Sequence, residues 1–320
     1  MTSLYENIVL ANTAIRPQVP VTPLERSYAL SAAIGCEVWL KCEHLQPTGS
    51  FKVRGAANKI HRLAENALRA GVVTASSGNH GLAVARAGAH AGAPVTVCVS
   101  ASAAKSKLDA IVAMGAELVV LDGPPIEAEL HARRRAAEQG KVYISPYNDL
   151  DVVAGQGTVG IELFEQAPDL DAVFVAVGGG GLIGGIGTAL RALRPQTRIV
   201  GVWPENSPSM LRAMEAGAIV DVEERPTLSD GTAGGIEPGS VTLPICQEVI
   251  DETVTVSEAQ IASAMRRLAE TDHWIVEGSA GVALAGLIKR SQAYKRSKVA
   301  VVLCGRNVSL ERFMEAINRV

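Results

Sequence analysis

The sequence lacks an excess of charge of either sign: 30 Lys and Arg stand against 33 Asp and Glu. The basic residues are scattered rather than massed in one stripe, which leaves no electrostatic footprint for nucleic acid or an anionic membrane. No stretch offers about 18 uninterrupted apolar residues, and no basic run precedes an apolar segment with a small-residue cleavage site. Neither a membrane span nor a secretory leader is expected, and the chain reads as cytoplasmic. Cysteine is sparse and poorly spaced for a framework: Cys36, Cys42, Cys98, Cys246 and Cys304 are odd in number, far apart and without a CxxC pair. That argues against disulfides and against a zinc site. Internal repeats of 20 to 50 residues and low-complexity tracts are missing too. Small, specific partners are the expectation.

What is present is a chain of 320 residues, 48% of them apolar, enough for about two domains. Short β-branched runs alternate with Ala-rich helical stretches: VVTAS at 72–76, VTVCV at 95–99, ELVVL at 117–121 and VYIS at 142–145. The pattern restarts with VFVAV at 173–177, RIVGVW at 198–203 and VAVVLC at 299–304. Such alternation reads as α/β, with two open, twisted, mainly parallel sheets flanked by helices. The strand EVWLK at 37–41 is expected in the second sheet, because the first 45 residues are too few for a core of their own. The large domain is therefore discontinuous, 1–70 with 148–320, and 71–147 form the small one. A Ser-x-x-Gln capping box, Ser257 to Gln260, opens the helix IASAMRRLAE.

Three loops carry candidate chemistry. VFVAV runs into GGGGLIGGIG, where Gly178, Gly179, Gly180 and Gly181 precede a helix. Glycines admit an anion close to the backbone, and the helix N-terminus offers free N–H groups and partial positive charge, so a phosphate fits. The same glycines also satisfy G-x-G-x-x-G through Gly179, Gly181 and Gly184, with Glu205 placed for a ribose. A nicotinamide dinucleotide is thus a rival occupant, and a tight packing turn a third reading. In TASSGNHG, residues Ser76, Ser77, Gly78, Asn79 and His80 lie where a strand meets a helix and would seat a carboxylate. Any one Ser or Asn there would serve equally as an N-cap, and His80 alone as a structural histidine. VVLCGRN ends a strand at Cys304, again at the carboxyl end where open sheets bind ligands. A fourth stretch, QPTGSFKVRG, places Lys52 after a Pro-Thr-Gly-Ser turn and Phe51, leading into a helix start.

PTGSFKVRGA, SSGNHG, GGGGLIGG and VVLCGRN, in that order and spacing, resemble the fold-type II pyridoxal phosphate enzymes. Within them the chain is similar to the threonine/serine dehydratase and serine racemase branch, over about positions 20 to 310. The resemblance implies a tryptophan synthase β-like architecture with the active site in the cleft between domains. It implies that Lys52, beside Phe51, forms the internal Schiff base, that Asn79 bonds the ring hydroxyl, and that Gly178 to Gly181 cradle the cofactor phosphate. Ser76, Ser77, Gly78, Asn79 and His80 would take the substrate carboxylate, Cys304 would face the pyridine nitrogen, and Glu277 would lie near the ring. Tyr147 would occupy a substrate-side position. A Schiff-base lysine must shed its proton, which suits a partly desolvated site.

The implied reaction is dehydration and deamination of a β-hydroxy amino acid such as L-threonine or L-serine, with Lys52 as base and the cofactor phosphate returning a proton to the departing oxygen. Ser77, where racemases carry a second acid/base, keeps an amino-acid racemase open as an alternative. A β-replacement synthase is another, as are substrates such as 3-hydroxyaspartate, phenylserine or an ectoine-pathway amino acid. A nicotinamide oxidoreductase is more remote, since it gives Lys52 and the SSGNH loop no task. Where serine racemase has acidic metal ligands this chain has Trp203 and Ser209, so no such metal site is expected. Arg306 replaces a family glycine. The family suggests a homodimer.

Overall fold

The computed structural model describes residues 2–101, 103, 105–123 and 125–318. Ten strands form two sheets: β1 (Leu24–Ser27), β2 (Glu37–Lys41), β3 (Val72–Ala75), β4 (Val95–Ser100), β5 (Glu117–Leu121), β6 (Val142–Tyr143), β7 (Ala172–Ala176), β8 (Arg198–Pro204), β9 (Glu252–Val256) and β10 (Lys298–Val302). The six-stranded sheet runs β1-β2-β10-β7-β8-β9, and the four-stranded sheet runs β5-β4-β3-β6. Every pairing is parallel except β1 with β2.

Central strands such as β7, AVFVA, and β4, VTVCVS, are buried along their whole length, as expected of parallel strands covered on both faces. EVWLK does join the larger sheet, pairing β2 with β10 so that Val38 lies opposite Val299 and Leu40 opposite Val301. Two edge strands complete that sheet. β9, ETVTV, has the alternation of a half-buried strand, whereas β1, LERS, has no such pattern and is held by its antiparallel partner β2. The capping box at Ser257 forms, with Gln260 returning the bond to the cap amide.

Three helices pack backbone against backbone. The helix Lys52–His61 meets Leu150–Gln166 at Gly55 and Gly155, where an added Cβ on Gly155 would lie 2.5 Å from the Arg54 carbonyl. The helix Gly181–Leu193 meets Leu150–Gln166 in the same way through Gly185 and Gly157. All five cysteines are free and buried. No helix among the described residues is long and apolar enough to cross a membrane.

The close helix crossing yields a stability prediction. A Cβ at position 185 would sit 2.5 Å from the Gly157 amide nitrogen and 2.6 Å from the Val153 carbonyl, and neither backbone atom can step aside. Gly185→Ala should therefore destabilise by about 1–3 kcal/mol of overpacking, despite the better helix propensity of alanine. A thermal midpoint equal to or above that of the parent would refute this.

Candidate active site

Because β2, β10 and β7 are parallel neighbours, the segments leaving their carboxyl ends emerge side by side. These are the lysine loop after Lys41, Cys304 after Val302, and the glycine loop after Ala176. Likewise, β3 and β6 are neighbours, so the SSGNH loop adjoins Ser145-Pro146-Tyr147. The two sets meet at Lys52, whose Nζ donates to the Pro146 carbonyl at 2.8 Å.

The lysine loop is stitched to the exit of β10. Ser50 bridges Gly305, the Phe51 N–H donates to the Cys304 carbonyl at 3.1 Å, and the Arg306 N–H donates to the Gly49 carbonyl at 2.9 Å. Gly49 has φ +76°, and a Cβ there would lie 2.6 Å from the Asn307 Oδ1. Only glycine meets both demands. Lys52 opens the helix Lys52–His61, with its Nζ 5.2 Å from the centre of the Phe51 ring. The side chain is half-buried by surface area, yet its amine is enclosed by protein. Desolvation lowers its pKa to about 8, against the opposing pull of Cys304 and Glu277.

In the SSGNH loop, Gly78 is the cap of the helix Asn79–Ala91, and no side chain caps that terminus. The Ser76 hydroxyl accepts from the Gly78 N–H within the loop, so the first-turn amides stay available for an anion. His80 is buried, and its Nε2 lies 3.0 Å from the Ile144 carbonyl. A carbonyl only accepts, which assigns the ring proton to Nε2 and leaves Nδ1 a bare acceptor with no protein partner among the described residues. Burial and then the nearby Lys52 lower its pKa to about 3, so His80 is a neutral, fixed group rather than a proton carrier at neutral pH.

Asn79 belongs to a network that no single motif reveals. Its Nδ2 donates to both Glu277 oxygens, at 2.8 and 3.1 Å, while its Oδ1 accepts from the Asn307 Nδ2 at 2.5 Å. Asn307 also gives its amide to Glu277 at 3.0 Å and its Nδ2 to the Thr48 carbonyl at 2.8 Å. Asn307 thereby ties the lysine loop and the SSGNH loop together through its side chain, and holds Glu277 through its backbone N–H. Burial raises the Glu277 pKa, opposed by the bonds from Asn79 and Asn307. Cys304 is buried beside it, and burial followed by the charge of Glu277 pushes its thiol well above the ordinary range.

On the glycine side, Gly180 has φ +82° and caps the helix Gly181–Leu193 with no side-chain bond to the first turn. A Cβ on Gly178 would meet Thr232, and one on Gly179 would enter the Tyr147 ring. The Tyr147 ring therefore backs the glycine turn, and its hydroxyl accepts the Glu237 N–H at 2.9 Å. Arg306 is exposed, and burial followed by the Arg306 charge lowers the pKa of His44 to about 4. Trp203 is fully buried, while Ser209 and Ser207 both donate to Glu224.

Sequence reading passed over several residues at this site. The stretch Ser229-Asp230-Gly231-Thr232 lies against it, since a Cβ on Gly231 would meet the Ser279 hydroxyl at 2.7 Å and Glu277 at 3.3 Å. Glu237 accepts from Asn148 at 2.9 Å and pairs with Arg133 at 2.6 Å. Residues 218–241 form neither helix nor strand, so no periodicity marks them, and the turn pairs Asp230-Gly231, Gly234-Gly235 and Pro238-Gly239 were the available signals.

The arrangement combines a desolvated amine, two uncapped helix N-termini and buried acceptors at Ser50 and His80 that lack protein partners among the described residues. An amine poised to lose its proton suits attack on a carbonyl, and the two termini suit a phosphate and a carboxylate. Pyridoxal phosphate with an amino acid presents those three groups together.

Comparison with known proteins agrees. A family model described as pyridoxal-phosphate dependent enzyme matches residues 15–305. The chain is 39% identical over 315 residues to the L-threonine ammonia-lyase of Thermotoga maritima, covering 98% of this chain and 78% of that protein. Threonine deaminase isoform 2 from Solanum lycopersicum, in its processed form, aligns with a TM-score of 0.94 at 33% identity, covering 98% of this chain and 92% of that one. Maize serine racemase aligns with a TM-score of 0.92 at 32% identity, over 98% and 97% of the two chains. With glycines no side chain could replace, an amine shifted toward neutrality and this breadth of similarity, the chain belongs to the pyridoxal-phosphate dependent enzymes.

Proposed function

We infer that this protein eliminates water from a β-hydroxy amino acid such as L-threonine or L-serine, and that hydrolysis of the released enamine returns a water and gives a 2-oxo acid and ammonia. The observation that carries this reading is the Lys52 amine, bonded to the Pro146 carbonyl, within the electrostatic reach of Cys304 and Glu277, and lowered by burial to a pKa of about 8. Similarity to an L-threonine ammonia-lyase and a threonine deaminase supports the reaction class.

When bound, pyridoxal phosphate supplies an aldehyde for amines and a ring that draws electrons from the α-carbon. Lys52 would hold its aldehyde carbon, and Gly178 to Gly181 with the helix Gly181–Leu193 its phosphate. Asn79, Phe51, Glu277 and Cys304 would surround its ring. Cys304, kept as a neutral thiol by burial, is a weak donor and leaves a facing nitrogen without a full proton. Ser76 to His80 bind and orient the substrate carboxylate at the start of the helix Asn79–Ala91. Lys52, once freed, takes the α-proton; its lowered pKa makes the free amine accessible near neutral pH. Tyr147 acts from behind the glycine turn, holding its shape.

A second reading, racemisation, rests on Ser77 in the SSGNH loop and on the similarity to maize serine racemase. Residues 71–147 are taken as a small domain that packs over a large domain of 1–70 and 148–320. The chain is placed in the cytoplasm, where five buried free thiols persist, and as a homodimer.

Lys52→Ala should lose both the violet-region absorbance that borohydride abolishes and the formation of 2-oxo acid, and retained turnover would overturn the mechanism. Loading of the apoprotein with pyridoxal phosphate requires the free amine, so its rate should rise with pH and level off just above pH 8. An ordinary lysine would keep rising toward pH ~10.4, and that profile would show the amine is not desolvated. Ser77→Ala should abolish any D-amino acid product while 2-oxo acid formation from L-substrate falls less than tenfold. Equal loss of both products would remove Ser77 as a second acid/base. A panel of β-hydroxy amino acids, including 3-hydroxyaspartate and phenylserine, assigns the substrate, since one methylene in an apolar pocket is worth only ~1–3 kcal/mol.

A further inference from the structure

Directly beneath the helix that begins at Lys52 lies a cluster of buried charge. The side chains of Lys41, Glu43, Arg54 and Glu162 have no exposed surface, and Arg16 joins from the rim with 26% of its side chain exposed. Two cations and two carboxylates balance in the interior. Arg54 uses all five of its N–H donors. Its Nε and one terminal nitrogen grip Glu43, each at 2.7 Å. Its terminal nitrogens also grip Glu162, at 2.7 and 2.8 Å, and one reaches the Thr158 hydroxyl at 3.0 Å. Lys41 likewise spends its three donors on the Thr22 carbonyl, Glu162 and Gln166.

Buried ion pairs are poor sources of net stability, because desolvation offsets most of the attraction, and apolar residues of similar volume often do as well. Their geometry is another matter. Glu43 lies nine residues before Lys52 and Arg54 two residues after it, so the two-pronged Glu43–Arg54 bond closes the base of the loop that carries Gly49 and Lys52. Glu162, on the helix Leu150–Gln166, anchors that closure to the floor of the fold. Two helical residues subtend about 200°, so with Arg54 drawn into the floor, Lys52 is turned to the opposite side, toward the cleft. At the roughly 5–6 Å radius of helix side chains, a rotation of about 20° moves a group by about 2 Å. Misplacement by ~1 Å can cost about 100-fold in rate. The far end of the helix is pinned separately, by Lys59 on Asp149 and Asp151.

We propose that Arg54, gripped by Glu43 and Glu162, is a positioning residue that sets the rotation of the helix Lys52–His61 and thereby aims Lys52 into the cleft. The proposal rests on the reading of Lys52 as the lysine that joins the cofactor. It predicts that the network can be removed with the fold intact and the chemistry impaired.

The test compares the cofactor-loaded parent with Arg54→Lys, which keeps the charge and loses the planar fork, and with the charge-neutral pair Glu43→Leu and Arg54→Met. Borohydride reduction and peptide mapping locate the attached cofactor in each. Thermal midpoint, the pH midpoint of the violet band, kcat and KM are then measured. In the apolar pair we expect a thermal midpoint within a few degrees of the parent, a shifted pH midpoint, and kcat lowered at least tenfold with KM within threefold. Arg54→Lys should show the same pattern, and it decides the matter if the apolar pair does not fold. Parental kcat and band in a folded variant would overturn the proposal, and so would loss of the folded state in both, which would make the network a stability element. A parental label on a residue other than Lys52 would overturn the cofactor reading itself. A label on Lys52 with unchanged variant kinetics would overturn the positioning role alone.

Discussion

Everything at the candidate site hangs on the parallel pairing of β10 with β2 on one side and with β7 on the other. Parallel strands deliver their carboxyl ends to one edge of a sheet, so three segments far apart in the chain leave the sheet as neighbours. Lys52, Cys304 and the glycine turn are thus brought together by backbone hydrogen bonds between residues that take no part in the chemistry. The stitching of Gly49, Ser50 and Phe51 to residues 304–306 continues that pairing beyond the strands proper.

Burial at that edge disfavours charge on the groups gathered there. Burial lowers the pKa of Lys52 and His80 and raises that of Glu277 and Cys304, each toward its neutral form. The consequences differ with the partner each group finds. Lys52 bonds the Pro146 carbonyl and remains available as a nucleophile and base. His80 is pinned to Ile144 and is held neutral. Glu277 receives three donor contacts from Asn79 and Asn307, so its position is well determined even as its ionisation is resisted. One physical effect therefore separates a reactive group from groups that hold shape.

Beneath the cleft the order is reversed, with charges kept and paired. Arg54 and Lys41 face Glu43 and Glu162 with every donor of the two cations engaged. The reacting amine thus stands above a floor of fully partnered ions, which suits a site whose upper residues must react while their backbone stays still.

Much of this was legible along the chain. β-branched runs gave most strands, because burial on both faces demands continuous apolar segments, and the glycine turn, SSGNH and the lysine turn were each readable as loops with a chemical bias. β1 was not, since LERS becomes a strand only through its pairing with β2. Nor was Asn307, whose importance lies in contacts with Thr48, Asn79 and Glu277. Tyr147 looked like a substrate-side residue, and the fold packs its ring against Gly179. Nothing local marks Arg54 either, since its burial and its grip on Glu43 and Glu162 come from helix packing. By itself the sequence determined which segments are strands and which loops bear reactive groups, because local propensity and burial pattern are properties of short stretches. Tertiary structure alone decided which of those groups are neutral, which are pinned and which remain free to react, because desolvation and hydrogen bonding depend on neighbours contributed by distant segments.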